Sequence, residues 1–363
     1  MRILFLCGAG FNARLRVRSL ERMQHQVEVV PYDSLTPFRE AVLMKWLRLP
    51  VGDLVDGLAS RGLTRCPALS ERYDLAFLNQ PRILGPRCYG VLQSRSRHIV
   101  NYVNDDPFGL RHLPQWRLFL RTLPSNDLVA VSRDANVLEA MELGARRVLR
   151  VPFPADEELH RPIELTPEER QHWSSEVLFI GTHFPERGPF LRELIERGVP
   201  LTIRGAGWED STDWPLLRNH VVGGPVRGED YVKAIRAAKI SLGLLSKDNR
   251  DECTRRSMEI PAIGTLLCAE RTREHRRLYE EGREAVFFDD ARECAEQCLS
   301  LLTDDARRRA ITEAGHQRFL RNGTTNRAML ERILAALNRN GSGGSEAARD
   351  AGLPPEHAGP DGP

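Results

Sequence analysis

Short apolar runs alternate with stretches of helical period along the first half of the chain. Residues Arg2–Cys7 are an apolar run that ends in Gly8-Ala9-Gly10, and Asn12–His25 then repeats its apolar positions at helical spacing. Val27–Pro31, Asp74–Asn79, His98–Val103, Asp127–Ser132 and Arg147–Val151 are further strand-like runs. Between them, residues 35–63 read as helix broken at Pro50, and Asp134–Leu143 as another helix. This rhythm predicts a parallel sheet covered on both faces by helices.

From Pro152 to Ser174 the pattern stops, and Pro152, Pro154, Pro162 and Pro167 fall among charged residues. The spacing predicts a linker over 152–174. The alternation then restarts, with strands at Glu176–Ile180, Leu201–Arg204, His220–Val222, Ile240–Leu245, Thr265–Cys268 and Ala285–Phe288. Helices are predicted at Gly188–Arg197, Tyr231–Ala238, Ala291–Leu302, Asp304–Asn322 and Thr325–Leu337, and at Arg255–Pro261, where Pro261 should limit the length. Residues 339–363 hold Gly, Ser, Pro and charge but no aromatic residue, and read as a disordered tail. The expected organisation is α/β: a doubly wound domain over 1–151, the linker, and a second doubly wound domain over 175–338. Two such domains facing an interdomain cleft would place functional loops after strand ends.

A chain of 363 residues is longer than one core usually serves, which agrees with two domains. The net charge of +2 conceals an uneven distribution. Residues 1–151 hold 22 Lys and Arg against 14 Asp and Glu, while the remainder holds 30 against 36. A basic half suits an anionic partner. Only four bases are lysine, so 48 are arginine, a residue whose planar fork matches phosphate and carboxylate. A GC-rich genome would give the same surplus. No basic run with interleaved aromatics argues for nucleic acid. No run reaches the length of a membrane span, and the opening apolar run is too short for a signal peptide. A cytoplasmic protein is expected, in solution or peripheral at the inner membrane surface. Of seven cysteines, Cys294 and Cys298 stand i,i+4 on a predicted helix, without a companion at zinc spacing. They read as reduced, buried thiols.

Four glycine-bearing segments carry candidate chemistry. Gly8-Ala9-Gly10 follows the first strand but lacks the third glycine of a dinucleotide fingerprint. Phe179-Ile180-Gly181-Thr182 leads through Arg187 into a helix, an arrangement that suits a diphosphate. Arg204-Gly205-Ala206-Gly207-Trp208 can admit a nucleotide beside the backbone, or be a sharp turn whose Trp208 packs as core. The fourth segment runs from Asp251 through Arg255, Arg256 and Glu259 to Gly264. Its bases and Glu259 share one helix face, where a carboxylate can accept hydrogen bonds from ribose hydroxyls or join a surface ion-pair ladder. In the first half, Asp105-Asp106 follows a strand and offers either a general base or a turn cap before Pro107.

The fourth segment, R-S-M-E-I-P-A-x-G-T-L-L, resembles the signature of the CgeB-like glycosyltransferases of spore-maturation type, which have a GT-B fold. Similarity extends through F-I-G-x(5)-R, I-R-G-A-G-W and D-D-A-R-R-R-A-I-T-E-A-G, over most of residues 176–337. In the first half it rests on the stretch from Asn101 to Pro107. The resemblance implies a metal-independent transfer from a nucleotide-diphosphate-sugar, with no cofactor, to an acceptor hydroxyl held by the first domain. It implies that Glu259 holds the donor ribose and that Arg187 and Arg256 face the diphosphate. Gly181, Thr182, Gly205, Gly207, Trp208 and Gly264 complete the donor set, with Asp105, Asp106 and Asp251 as the catalytic candidates. Asp251 stands where the wider retaining enzymes have Glu, which keeps open an inactive scaffold that binds a nucleotide or a protein. The acceptor expected is an anionic or membrane-borne glycan of the cell surface or spore coat. Basic residues on the predicted first helix (Arg14, Arg18, Arg22) and Arg39, Lys45 and Arg48 beside Phe38, Val42 and Trp46 fit that acceptor.

Overall fold

The computed structural model describes residues 1–109 and 113–339. The chain divides into two compact units. Among the described residues, unit 1 takes 1–152, 247–251 and 326–339; unit 2 takes 153–246 and 252–325.

Unit 1 is built on β1 (Arg2–Cys7), α1 (Phe11–Arg22), β2 (Gln26–Pro31), α2 (Glu40–Trp46), α3 (Gly52–Arg65), β3 (Tyr73–Asn79), α4 (Pro86–Arg95), β4 (Ser96–Val103), α5 (Leu113–Leu120), β5 (Leu128–Val131), α6 (Asp134–Glu142) and β6 (Val148–Arg150). Its six strands pair in parallel in the order β2-β1-β3-β4-β5-β6. β1 is buried on both faces, which is why it reads as an unbroken apolar run.

Unit 2 contains α7 (Pro167–Trp173), β7 (Ser175–Ile180), α8 (Arg187–Glu196), β8 (Leu201–Arg204), α9 (Trp214–Leu217), α10 (Glu229–Ala237), β9 (Ala238–Gly243), α11 (Arg256–Ile263), β10 (Leu266–Glu270), α12 (Arg273–Leu278), β11 (Val286–Phe288), α13 (Ala291–Thr303) and α14 (Asp305–Asn322). Its sheet is parallel, in the order β11-β10-β9-β7-β8. Both sheets therefore reverse direction of growth after their second strand, so that the switch lies between β1 and β3 and between β7 and β9. Ligands of open α/β sheets bind beyond the strand ends at such a reversal.

Several expectations need correction. The strand expected at His220–Val222 is a single bridge between Val221 and Ile203. The stretch read as a linker carries α7, started by a capping box in which Thr166 accepts from the Glu169 amide and Glu169 from the Thr166 amide. The sequence pattern assigns the closing helix, α15 (Asn326–Asn338), to the second domain. Its Met329, Leu330, Ile333 and Leu337 instead pack in the first unit's core with Ile3, Phe5, Val17 and Leu20. Pro261 does not end α11, which runs two residues further. A proline at that position cannot bond the Ser257 carbonyl four residues back. The Tyr279 hydroxyl donates to that carbonyl at 2.8 Å in its place. The expected tail, from residue 340, lies outside the described residues.

Candidate active site

The loops after β7 and β8 in unit 2 are laced together. The Gly181 amide donates to the Arg204 carbonyl and the His183 amide to that of Ala206, both at 2.9 Å. The buried Trp208 indole donates to the Gly181 carbonyl at 3.0 Å. A Cβ on Gly205 would lie 1.9 Å from that carbonyl oxygen, so only glycine fits there. Gly207 has φ +76°, the left-handed conformation that turns the chain into Trp208. The two glycine loops are thus expected to be stiff. Trp208 is core, packed edge-on to Phe179, and is not open to a nucleotide ring. Thr182 is exposed, and the His183 ring packs against Trp208 with centroids 5.4 Å apart.

Arg187, expected to face a diphosphate, is buried instead. Its guanidinium donates to the carbonyls of Thr182 (2.9 Å), Leu245 (3.2 Å) and Leu244 (3.4 Å). It also lies over the rings of Phe184 and Phe179, at 4.3 and 5.5 Å from the centroids. Leu244 and Leu245 follow β9, so one cation ties the two loops on either side of the sheet's reversal. Carbonyl dipoles and π-faces around the guanidinium help make its burial possible.

At the start of α11, Glu259 is buried yet ionised. Burial alone would push its carboxyl up. The neighbouring His160, the Arg255 and Arg256 guanidinia and the Tyr231 hydroxyl outweigh that, and hold it below the ordinary carboxylate range. Tyr231 donates to Glu259 Oε2 at 2.5 Å, and burial keeps the phenol protonated. Glu259 Oε1 lies 3.9 Å from Arg255 Nε and accepts no hydrogen bond among the described residues. His160 accepts the Asp156 amide at Nδ1 (2.9 Å), which leaves its ring proton on Nε2. Burial pushes the ring's pKa below the ordinary imidazole value, against the pull of Glu259 and Asp156. Arg256 Nε is buried and has no partner among the described residues. The start of α11 is itself pinned: Ser257 donates to His275 Nε2 at 2.7 Å, and His275 Nδ1 donates to the Glu270 carbonyl at 2.6 Å.

Sequence reasoning found Glu259 and Arg256 but missed Tyr231 and His160. His160 lies in the proline-rich stretch taken for a linker, and Tyr231 opens what reads as an ordinary amphipathic helix. Neither has a local signal; the sheet order brings them together.

The remaining candidates sit elsewhere. Gly264, with φ +80°, caps the far end of α11 where β10 begins, and its carbonyl accepts Arg236 at 2.8 Å. It is at the opposite end of the sheet from the glycine loops. Asp251 belongs to unit 1, where it is ion-paired with Arg133, and both side chains are buried. Asp106 is fully buried as a turn cap. It accepts from the Phe108 and Gly109 amides, from Asn136, and from Arg250 Nε at 2.5 Å. Burial pushes its carboxyl up, but Arg250 and the Phe108 amide carry it below the ordinary range. An acid so saturated is a poor general base. Asp105 is ion-paired with Arg82 and half-exposed. In the same unit α1 presents Arg14, Arg18 and Arg22 to solvent, while Arg16 is buried and donates to Asn79 Oδ1 at 3.0 Å.

Residues 187–335 match the model of a glycosyl transferase-like family. Solved structures similar to this chain include Anabaena HepE in complex with UDP-glucose, with TM-score 0.65 and 15% identity over 93% of this chain and 99% of that one. The sucrose-phosphate synthase of Thermosynechococcus elongatus gives 0.64 and 14% over the same shares. The E. coli trehalose-6-phosphate protein bound with UDP-2-fluoro glucose gives 0.63 and 13%, again over 93% and 99%. No curated protein sequence matches the chain. The fold is that of the GT-B glycosyltransferases: two α/β units, each on a parallel sheet.

Proposed function

We propose that the protein is a glycosyltransferase that moves a sugar from a nucleotide-diphosphate-sugar to an acceptor hydroxyl, and that unit 2 binds the donor. The observation that carries this is Glu259, an ionised, buried carboxylate with one oxygen already fixed by Tyr231 and the other without a hydrogen bond among the described residues. A free acceptor of that kind suits a ribose hydroxyl. Arg256 is the base we assign to the diphosphate, since its buried Nε lacks a partner among the described residues. A UDP-sugar is the first donor to test, because HepE is solved with UDP-glucose. Charge from Arg255 and Arg256 near the start of α11 supports a transfer that needs no metal.

The finer family reading, CgeB-like, rests on R-S-M-E-I-P-A-x-G in α11. For the acceptor, unit 1 presents Arg39, Lys45 and Arg48 to solvent beside exposed Phe38, Val42 and Leu49. That mixture suits an anionic glycan acceptor carried on a membrane surface, with the protein peripheral to it. No helix among the described residues is long and apolar enough to cross a membrane.

The test is calorimetry with UDP and other nucleoside diphosphates, followed by a UDP-sugar panel read by mass spectrometry with and without a chelator. Glu259→Ala should weaken nucleotide binding at least tenfold, about 1.4 kcal/mol or more. Unchanged binding in a folded Glu259→Ala protein sinks the site. Tight binding without turnover on any acceptor would make the chain a nucleotide-binding scaffold.

A further inference from the structure

The glycine loops occupy one end of the unit 2 sheet, and a groove crosses the other. It runs over the starting ends of β7, β8 and β9 onto α14, in two lobes that share Arg170, Ala237 and Lys239. The first lobe, of about 590 Å³, is lined by Ser174, Ser175, Glu176, Thr202 and His220. The second, of about 460 Å³, is lined by Arg236, Arg308, Arg309, Thr312 and His316. Both volumes are in the range of small-molecule sites.

Four elements supply the bases. Arg170 stands in the last turn of α7 and Arg236 in that of α10, Lys239 lies on β9, and Arg308 and Arg309 are near the start of α14. On α14, Arg308, Thr312 and His316 follow at i,i+4 spacing and so share a face. The chain after residue 151 is rich in acid, with 30 bases against 36, yet the two lobes hold five Arg and Lys against Glu176 and Glu313. Lys239 pairs with Glu176 at 2.7 Å, and Arg308 and Arg309 share Asp305 at 2.5 and 3.1 Å. Five bases against these three acids leave two positive charges in surplus. Arg236 donates only to carbonyls, those of Ile163 at 3.2 Å and Gly264 at 2.8 Å. The exposed Arg170 guanidinium has no partner among the described residues. A guanidinium carries five N–H donors and an ammonium three, so every one of these bases keeps donors for a ligand.

The two lobes differ in chemistry. Arginine forks match phosphate oxygens, and the second lobe is where they gather. The first lobe offers hydroxyls instead. Ser175 is 7% exposed, and its hydroxyl has no partner among the described residues. His220 gives its Nδ1 proton to the Leu201 carbonyl at 3.0 Å, so Nε2 can accept from a ligand hydroxyl. We propose that this groove binds one small sugar phosphate. The phosphate lies with Arg170, Lys239 and the second lobe's arginines, and the sugar hydroxyls lie in the first lobe. The site is separate from the glycine loops, and no bond is made or broken in it.

The full-length protein is titrated by calorimetry with glucose 1-phosphate, inorganic phosphate and glucose, with and without saturating UDP. The expected result is one glucose 1-phosphate per chain, bound about tenfold or more tighter than inorganic phosphate, with no binding of glucose at the same concentration. Its affinity should fall as salt rises, because the groove is open to solvent. Arg170→Glu and Arg309→Glu, both at exposed positions, should each weaken it by about tenfold or more. Arg14→Glu on α1, a charge reversal in the other unit, should leave it unchanged. If a groove variant fails to fold, a crystal structure of the unmodified protein soaked with glucose 1-phosphate decides, by the presence or absence of the ligand among these arginines. Absence of saturable glucose 1-phosphate binding overturns the proposal. So does equal affinity for inorganic phosphate, displacement by UDP, or binding that survives both groove variants.

Discussion

Glu259 shows how much one residue depends on its neighbours. Alone in a core it would be neutral; with Tyr231, His160, Arg255 and Arg256 around it, it is held ionised. Because its folded value is depressed, it contributes stability above the ordinary carboxylate pKa of 4.5. That contribution is lost as pH falls through the lower folded value. Tyr231→Phe removes one of the groups that depress it. Nucleotide affinity in that variant should fall at a higher pH than in the unmodified protein. Calorimetry over a pH range that extends well below 4.5 reads the two midpoints, and coincident midpoints would show that the hydroxyl does not tune the acid. Glu259 was legible in the sequence through its place in R-S-M-E-I-P, whereas Tyr231 and His160 were not. Their role comes only from side chains distant in sequence meeting in the fold.

At the scale of elements, α11 carries the lesson. Its sequence contains a proline that ought to stop it, yet it continues to Ile263 because Tyr279 supplies the hydrogen bond that Pro261 cannot. Tyr279→Phe should leave the buried Ser257 carbonyl without that donor and cost about 1–3 kcal/mol in urea unfolding. A loss below about 0.5 kcal/mol would mean that another donor replaces it. The strands were legible where they are buried on both faces, as in β1, since a continuous apolar run leaves little else for the segment to be. The bridge at Val221 was not, because three apolar-leaning residues satisfy a strand pattern without a neighbour able to pair along their length. The linker reading failed for a related reason: prolines at helix starts and in loops look alike in sequence, and α7 begins at Pro167.

For the molecule as a whole, unit 1 draws in residues 247–251 and the closing helix α15 from far along the chain. In the first of these segments Arg250 donates to Asp106 and Glu139, and Asp251 pairs with Arg133. Arg250→Ala removes the cation that the fully buried Asp106 faces. Arg250 is itself 44% exposed, so solvent moderates the loss to about 1–2 kcal/mol, read as a lower Tm. Asp106 would keep its two amide donors and Asn136. An unchanged Tm would show that those donors suffice.

The sequence by itself determined the parallel α/β class of both units, through apolar runs alternating with helical stretches, and it marked Glu259 and the glycine loops. Those signals are local: periodicity, a glycine where no Cβ fits, an acid at a helix start. Only the tertiary structure decided which charges remain available. It turned Arg187 into a loop tie and Asp106 and Asp251 into ion-paired supports, and it gathered Arg170, Arg236, Lys239, Arg308 and Arg309 around one groove. Strand order sets those partnerships, and strand order is fixed by how the whole core packs rather than by any short stretch of chain.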